Sequence, residues 1–110
     1  MNKIKLAISG CMGRMGQQLI KSSKNNKLFN LVALTESKLI NKKFNGIKPE
    51  LNSYKAFKNI DVIIDFTIPD CTLEILKIAS DLKKKVVIGT TGFNKKQENQ
   101  IKKYSKKYRY

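Results

Sequence analysis

Histidine and tryptophan are absent from this 110-residue sequence, cysteine and proline occur twice each, and only eight residues are acidic. Each shortage removes a class of function. Without histidine there is no imidazole-based acid–base pair, and the usual zinc ligand sets cannot be assembled. Cys11 and Cys71 are too few and too far apart for a disulfide framework or a metal cluster. No metal ligand is therefore expected. No apolar stretch approaches the roughly 18 residues needed to cross a bilayer. The first residues also lack a signal-peptide layout, because Lys3 and Lys5 are followed by a strand-length run, Leu6–Ile8, and then glycine. The expectation is a cytoplasmic protein with no membrane partner.

What the sequence has in excess is lysine. Of 23 basic residues 21 are lysines, and only Arg14 and Arg109 are arginines; the formal net charge is +15. Sites that read bases favour arginine, whose planar fork pairs bidentately with guanine edges. Scattered lysine, with many asparagines and isoleucines, reads instead as the compositional drift of an AT-rich genome. Nucleic acid is thus expected only as a non-specific polyanion at low salt. The length allows one domain with one core.

Apolar runs alternate with helical patterns along the chain. Ile4–Ile8 reads as a buried strand, stopped by Ser9-Gly10. Met15, Leu19 and Ile20 sit at helical spacing between Arg14 and about Lys24. Phe29 and Leu31–Leu34 form a second strand. Ser37–Ser53, with Gly46 and Pro49 and no clear period, reads as a long loop, and Tyr54–Asn59 as a helical turn. Ile60–Phe66 carries the strongest strand signal. Thr67, Pro69 and Asp70 then resemble a helix start with Thr67 as N-cap. That helix runs to about Lys83 and buries Leu73, Ile75, Leu76, Ile78, Ala79 and Leu82. Val86–Ile88 is a fourth strand, and the basic tail from Asn94 a helix with Ile101, Tyr104 and Tyr108 as its apolar stripe. Strands alternating with helices predict an α/β fold, a Rossmann-type doubly wound parallel sheet.

The first strand-to-helix turn carries Gly10-Cys11-Met12-Gly13-Arg14-Met15-Gly16, a G-x-x-G-x-x-G variant of the dinucleotide fingerprint. Gly10 permits the tight turn and Gly16 lets the helix pack close to the strand. Backbone amides around Met12–Met15 would point at a pyrophosphate, helped by the helix N-terminus. The second fingerprint position is Met12, so close approach to the phosphates falls to Gly13. Glu36 ends the second strand about 20 residues later, where an acid holding ribose hydroxyls belongs. An ordinary turn and a solvated strand-end acid would explain these features singly. In this order, the dinucleotide reading explains them together.

Gly10–Gly16, Ile64-Asp65-Phe66-Thr67-Ile68-Pro69 and Val87-Ile88-Gly89-Thr90-Thr91-Gly92 closely resemble the 4-hydroxy-tetrahydrodipicolinate reductases of bacterial lysine biosynthesis, the diaminopimelate pathway. The resemblance spans essentially the whole chain. It implies a Rossmann domain followed by an α+β substrate and tetramerisation domain, and a homo-oligomer. It also implies NADH or NADPH as hydride donor and tetrahydrodipicolinate as product. By position, Gly10, Cys11, Met12, Gly13, Arg14 and Met15 match the pyrophosphate loop, Glu36 the adenosine-ribose acid, and Gly89, Thr90 and Thr91 the loop beside the nicotinamide ribose. Phe66 and Thr67 lie at the same edge, lining the nicotinamide pocket or serving as strand end and helix cap. Asp65 reads as a structural carboxylate that hydrogen-bonds loop amides. Some members of the family carry arginine after the ribose acid, a partner for the 2′-phosphate of NADPH. Here Ser37 and Lys38 follow Glu36, so NADH is favoured.

On this resemblance, residues 1–110 are the NAD(P)-binding domain, truncated after the fourth strand and its following helix. The substrate domain is absent from the chain as given, so a small-molecule substrate and catalytic competence are expected only with that domain. Two alternatives stand beside this reading. One is a stand-alone dinucleotide-binding module completed by a partner chain. The other is a basic nucleic-acid-binding protein using Arg14 and Lys102, Lys103, Lys106 and Lys107 interleaved with Tyr104 and Tyr108. An unpaired Val86–Ile88 edge further predicts marginal stability or self-association.

Overall fold

The computed structural model describes residues 3–24 and 26–107. Strands β1 (Ile4–Ser9), β2 (Phe29–Glu36), β3 (Glu50–Leu51), β4 (Val62–Asp65) and β5 (Lys85–Ile88) form one sheet of order β3-β2-β1-β4-β5, and every pairing is parallel. Helices α1 (Arg14–Lys24), α2 (Tyr54–Phe57), α3 (Pro69–Leu82) and α4 (Lys95–Lys107) connect or follow them.

The central strand explains the layering. Successive side chains of β1 point to opposite faces, and both faces are apolar. Leu6 and Ile8 pack with Leu34, Cys11 and Ile20, so α1 covers one face. Ala7 packs with Ile63 and Val86, with Phe57 of α2, and with Ile75, Leu76 and Ala79 of α3; Ile101 and Tyr104 of α4 join this second cluster. Each fully buried leucine or isoleucine contributes about 1.5–3 kcal/mol relative to exposure, so a charge at Ala7 or Ile8 would break the fold.

The sheet has five strands because a fifth lies in the stretch read from sequence as a loop. Glu50 and Leu51 pair with Thr35 and Glu36, and Phe44 and Ile47 form an isolated bridge before them. Two residues give no period to detect, and β3 exists only because β2 offers it an edge. The last strand is therefore the fifth in chain order. β4 is also shorter than its apolar run: Ile60 is buried but donates its N–H to the Phe57 carbonyl.

In α3 the N-cap is Ile68, with no side-chain cap, and Thr67 is not the cap the sequence suggests. Its hydroxyl donates to Asp65 instead. Thr72 and Ser80 are buried in this helix, whereas Leu73 and Leu82 are only partly so. At the β5 edge Val86 is buried, Ile88 half-buried and Val87 exposed, so the apolar edge narrows to one outward side chain. Tyr108 and Arg109 lie outside the described residues.

Candidate functional site

β1 has β2 on one side and β4 on the other, so the chain reverses its direction of travel across the sheet between β1 and β4. Such a switch point opens a crevice at the carboxyl ends of the strands. The register brings those ends level: Ser9 pairs with Thr35 and with Asp65, and Asp65 pairs with Ile88. The loops starting at Gly10, Glu36, Phe66 and Gly89 therefore leave from one edge.

The first loop is shaped by missing side chains. Gly10 has φ +81°, and a Cβ there would lie 2.2 Å from the Phe66 carbonyl oxygen. A Cβ on Gly16 would lie 2.2 Å from the Gly10 carbonyl oxygen, because the first turn of α1 rests directly on the turn out of β1. At Gly13 the nearest atom is 3.4 Å away, so this glycine has room. The amides of Gly10 and Cys11 donate to the Thr35 carbonyl, and that of Gly13 to the Gly10 carbonyl. Met12 N–H donates to Glu36 Oε2 at 2.9 Å, while Ser37 N–H donates to Oε1. Among the described residues, the amides left for an anion are those of Arg14, Met15 and Gly16. These are the open donors of the α1 N-terminus, and they overlap the Met12–Met15 stretch read from sequence at Arg14 and Met15.

The second pair of loops is shaped by side chains that are present. Asp65 is fully buried; Oδ1 accepts from the amide and hydroxyl of Thr67, and Oδ2 from the hydroxyl of Thr72. Thr67 N–H also donates to Thr90 Oγ1 at 2.9 Å, and Gly89 N–H to the Asp65 carbonyl at 2.7 Å. The Thr67 amide and the Asp65 main-chain carbonyl thus tie the β4–α3 loop to the β5–α4 loop, while the Asp65 carboxylate holds Thr67 in place. The Phe66 ring lies where a Cβ on Gly89 would be, 2.2 Å from it, which gives that glycine a packing reason of its own.

Between these loops runs one continuous cleft. A pocket of about 330 Å³ is lined by Gly13–Gly16, Phe66–Pro69 and Gly89–Thr91. It shares Gly13 and Phe66–Ile68 with a second of about 200 Å³ that reaches Gly10, Glu36, Ser37 and Cys71. The third, about 220 Å³, continues from Glu36 and Ser37 to Leu51, Asn52 and Glu74. Arg14 lines the first of these pockets and Glu36 the other two. The arrangement can hold an elongated ligand with an anionic centre and a hydroxyl-bearing end.

Gly10, Gly13, Arg14, Met15, Glu36, Gly89, Thr90 and Thr91 all line the cleft. Met12 is exposed at the loop and meets the site through its amide bond to Glu36. Cys11 differs: its side chain is fully buried in the core cluster beneath the loop. Burial, and then the Glu36 charge, push its thiol up to about 11. Sequence reasoning did not single out Leu51, Asn52, Cys71 or Glu74. No motif marks them, although Cys71 and Glu74 are three apart at the start of a helix, the spacing that places side chains on one face. Tyr104, a proposed stacking residue for nucleic acid, packs instead against the core.

The family model for the N-terminus of dihydrodipicolinate reductase matches residues 4–110. The chain is 72% identical over 106 residues to the 4-hydroxy-tetrahydrodipicolinate reductase of Pelagibacter ubique, covering 96% of this chain and 41% of that protein. It is 44% identical to the reductase of the same name from Buchnera aphidicola, covering 96% of this chain and 43% of the relative. The chain thus spans about two fifths of the length of these curated relatives. Among solved structures, the dipicolinate-bound dihydrodipicolinate reductase of Paenisporosarcina sp. TG-14 aligns with a TM-score of 0.75 at 27% identity, over 94% of this chain and 43% of that one. Myo-inositol 2-dehydrogenase from Lactobacillus plantarum, at 17% identity and a TM-score of 0.75 over 97% of this chain and 34% of its own, shares the fold.

Proposed function

The chain belongs to the dihydrodipicolinate reductase family, and from that premise we propose that its cleft binds NADH or NADPH as the hydride donor for reducing 4-hydroxy-tetrahydrodipicolinate to tetrahydrodipicolinate. The observation that carries this reading is the single cleft in which a helix N-terminus, a strand-end carboxylate and a third loop converge. The amides of Arg14, Met15 and Gly16 and the Arg14 guanidinium hold the diphosphate. Glu36 accepts from the adenosine-ribose hydroxyls. The Gly89–Thr91 loop, fixed through Thr90 and Asp65, borders the nicotinamide ribose. When bound, the nicotinamide supplies the hydride, and the chain's task is to place it. Substrate binding and protonation of the product belong, in this reading, to the part of the relatives' length outside the match.

NADH is the preferred donor. Ser37 follows Glu36, and the exposed Lys38 does not line the cleft, so no fixed cation meets a 2′-phosphate. The test is a fluorescence titration with NADH and NADPH on the wild type and on Gly13→Val. A Cβ at Gly13 meets nothing closer than 3.4 Å, and a thermal melt beside the titration checks that the variant is folded. Its new side chain would stand between the loop and the diphosphate, weakening binding at least about tenfold, or about 1.4 kcal/mol. Absence of saturable binding of either dinucleotide to the wild type would refute the proposal.

A further inference from the structure

The adenosine end of the cleft has a charge that the rest of the molecule does not predict. The chain holds 23 basic and 8 acidic residues. Yet the pocket beyond Glu36 is lined by Glu36, Ser37, Leu51, Asn52, Cys71 and Glu74, with two carboxylates and no lysine or arginine. Cys71, on the wall shared with the neighbouring pocket, senses this field. Its thiol is pushed up first by burial and then by the Glu74 charge, with smaller contributions from Asp65 and Glu36.

Resting on the reading that the cleft takes a nicotinamide dinucleotide, we infer that Glu74 is a specificity-determining residue whose carboxylate, lining the same pocket as Glu36, excludes the 2′-phosphate of NADPH. A phosphate monoester carries roughly −1.5 to −2 charges at neutral pH. The 2′-hydroxyl of NADH carries none, so a carboxylate at this position penalises one dinucleotide and is nearly indifferent to the other. Like charges reject the wrong partner without adding affinity for the right one. Glu74 is exposed, so the effect is moderate and falls with salt.

The experiment measures the ratio of the NADPH and NADH dissociation constants at low ionic strength for the wild type, Glu74→Gln, Glu74→Lys and Glu98→Gln. Glu98, on α4, lines none of the three cleft pockets and controls for net charge. The ratio should fall about threefold in Glu74→Gln and about tenfold in Glu74→Lys, and stay at the wild-type value in Glu98→Gln. A ratio indifferent to residue 74, or one that moves as much in Glu98→Gln, overturns the inference and leaves the dinucleotide reading intact. A wild type that binds neither dinucleotide overturns both.

Discussion

Two of the crossovers of this sheet deliver loops to the same edge by opposite means. Between β1 and α1 the loop takes its shape from what is missing: Gly10 turns through a positive φ, and Gly16 lets α1 rest on the turn. Between β4 and α3 the loop takes its shape from what is present, a buried Asp65 shared by Thr67 and Thr72, with Thr90 joined through the Thr67 amide. The difference teaches where side chains are tolerable. A loop whose amides must meet a ligand directly keeps its surface bare, although glycine costs conformational entropy. A loop that needs only a fixed shape can be held by hydrogen bonds, provided each buried polar group is satisfied. Among the described residues, no buried side-chain polar atom lacks a partner.

The sharpest way to break the contrast is Gly16→Ala. The added methyl meets Gly10 O at 2.2 Å and Cys11 Cα at 2.8 Å, which are backbone atoms that cannot rotate away. A loss of about 4 kcal/mol is expected in urea unfolding, a large share of a small domain's stability. A loss below about 1 kcal/mol would mean that the first loop adjusts freely. Next comes Asp65→Ala, which leaves the hydroxyls of Thr67 and Thr72 without their carboxylate acceptor. It should cost about 2–3 kcal/mol and raise hydrogen exchange at the Thr67 and Gly89 amides together. Exchange rising at Thr67 alone would show the two loops to be independent.

The smallest effect concerns the one ionisable side chain buried beneath the first loop. The Cys11 thiol titrates near 11 in the folded protein, against an ordinary value of 9.0. Between those values the unfolded chain has lost the proton that the folded chain keeps. The stabilisation is therefore complete below about pH 9 and is lost as pH rises toward about 11. The loss is at most about 3 kcal/mol above pH 11, and about 2 kcal/mol by pH 10.5. Comparing urea midpoints at pH 8 and pH 10.5, the decline should be shallower in Cys11→Ala than in the wild type. Equal declines would locate the alkaline sensitivity elsewhere.

Much of this was legible in the sequence for physical reasons that differ by element. β1, β2 and β5 are apolar runs ending in glycine or an acid, and burial on both faces of a parallel sheet leaves that imprint. The glycine loop and Glu36 were legible because conformation and charge at those positions admit few residue types. β3 was not, since two residues held by a neighbour's edge have no pattern of their own. Thr67 misled because threonine before proline is a good N-cap, and only the fold reveals that Asp65 competes for its hydroxyl. Asn52, Cys71 and Glu74 reach the cleft through the packing of α3 and the β3 loop, which is tertiary information. The Cys11 side chain faces inward for the same kind of reason, as α1 closes over it.

The pocket at the start of α1 is bordered by the main chain of Arg14, Met15 and Gly16, and under the proposed function this has a consequence for genetics. A site made of backbone cannot be deleted by trimming side chains. Alanine at Met12 and Met15 would report tolerance while the donors stayed in place, and alanine at Arg14 would remove only its guanidinium. The positions that matter would register only when atoms are added, at Gly10, Gly13 and Gly16. A screen that scores truncation alone would therefore be blind to the part of this protein that its fold is built to present.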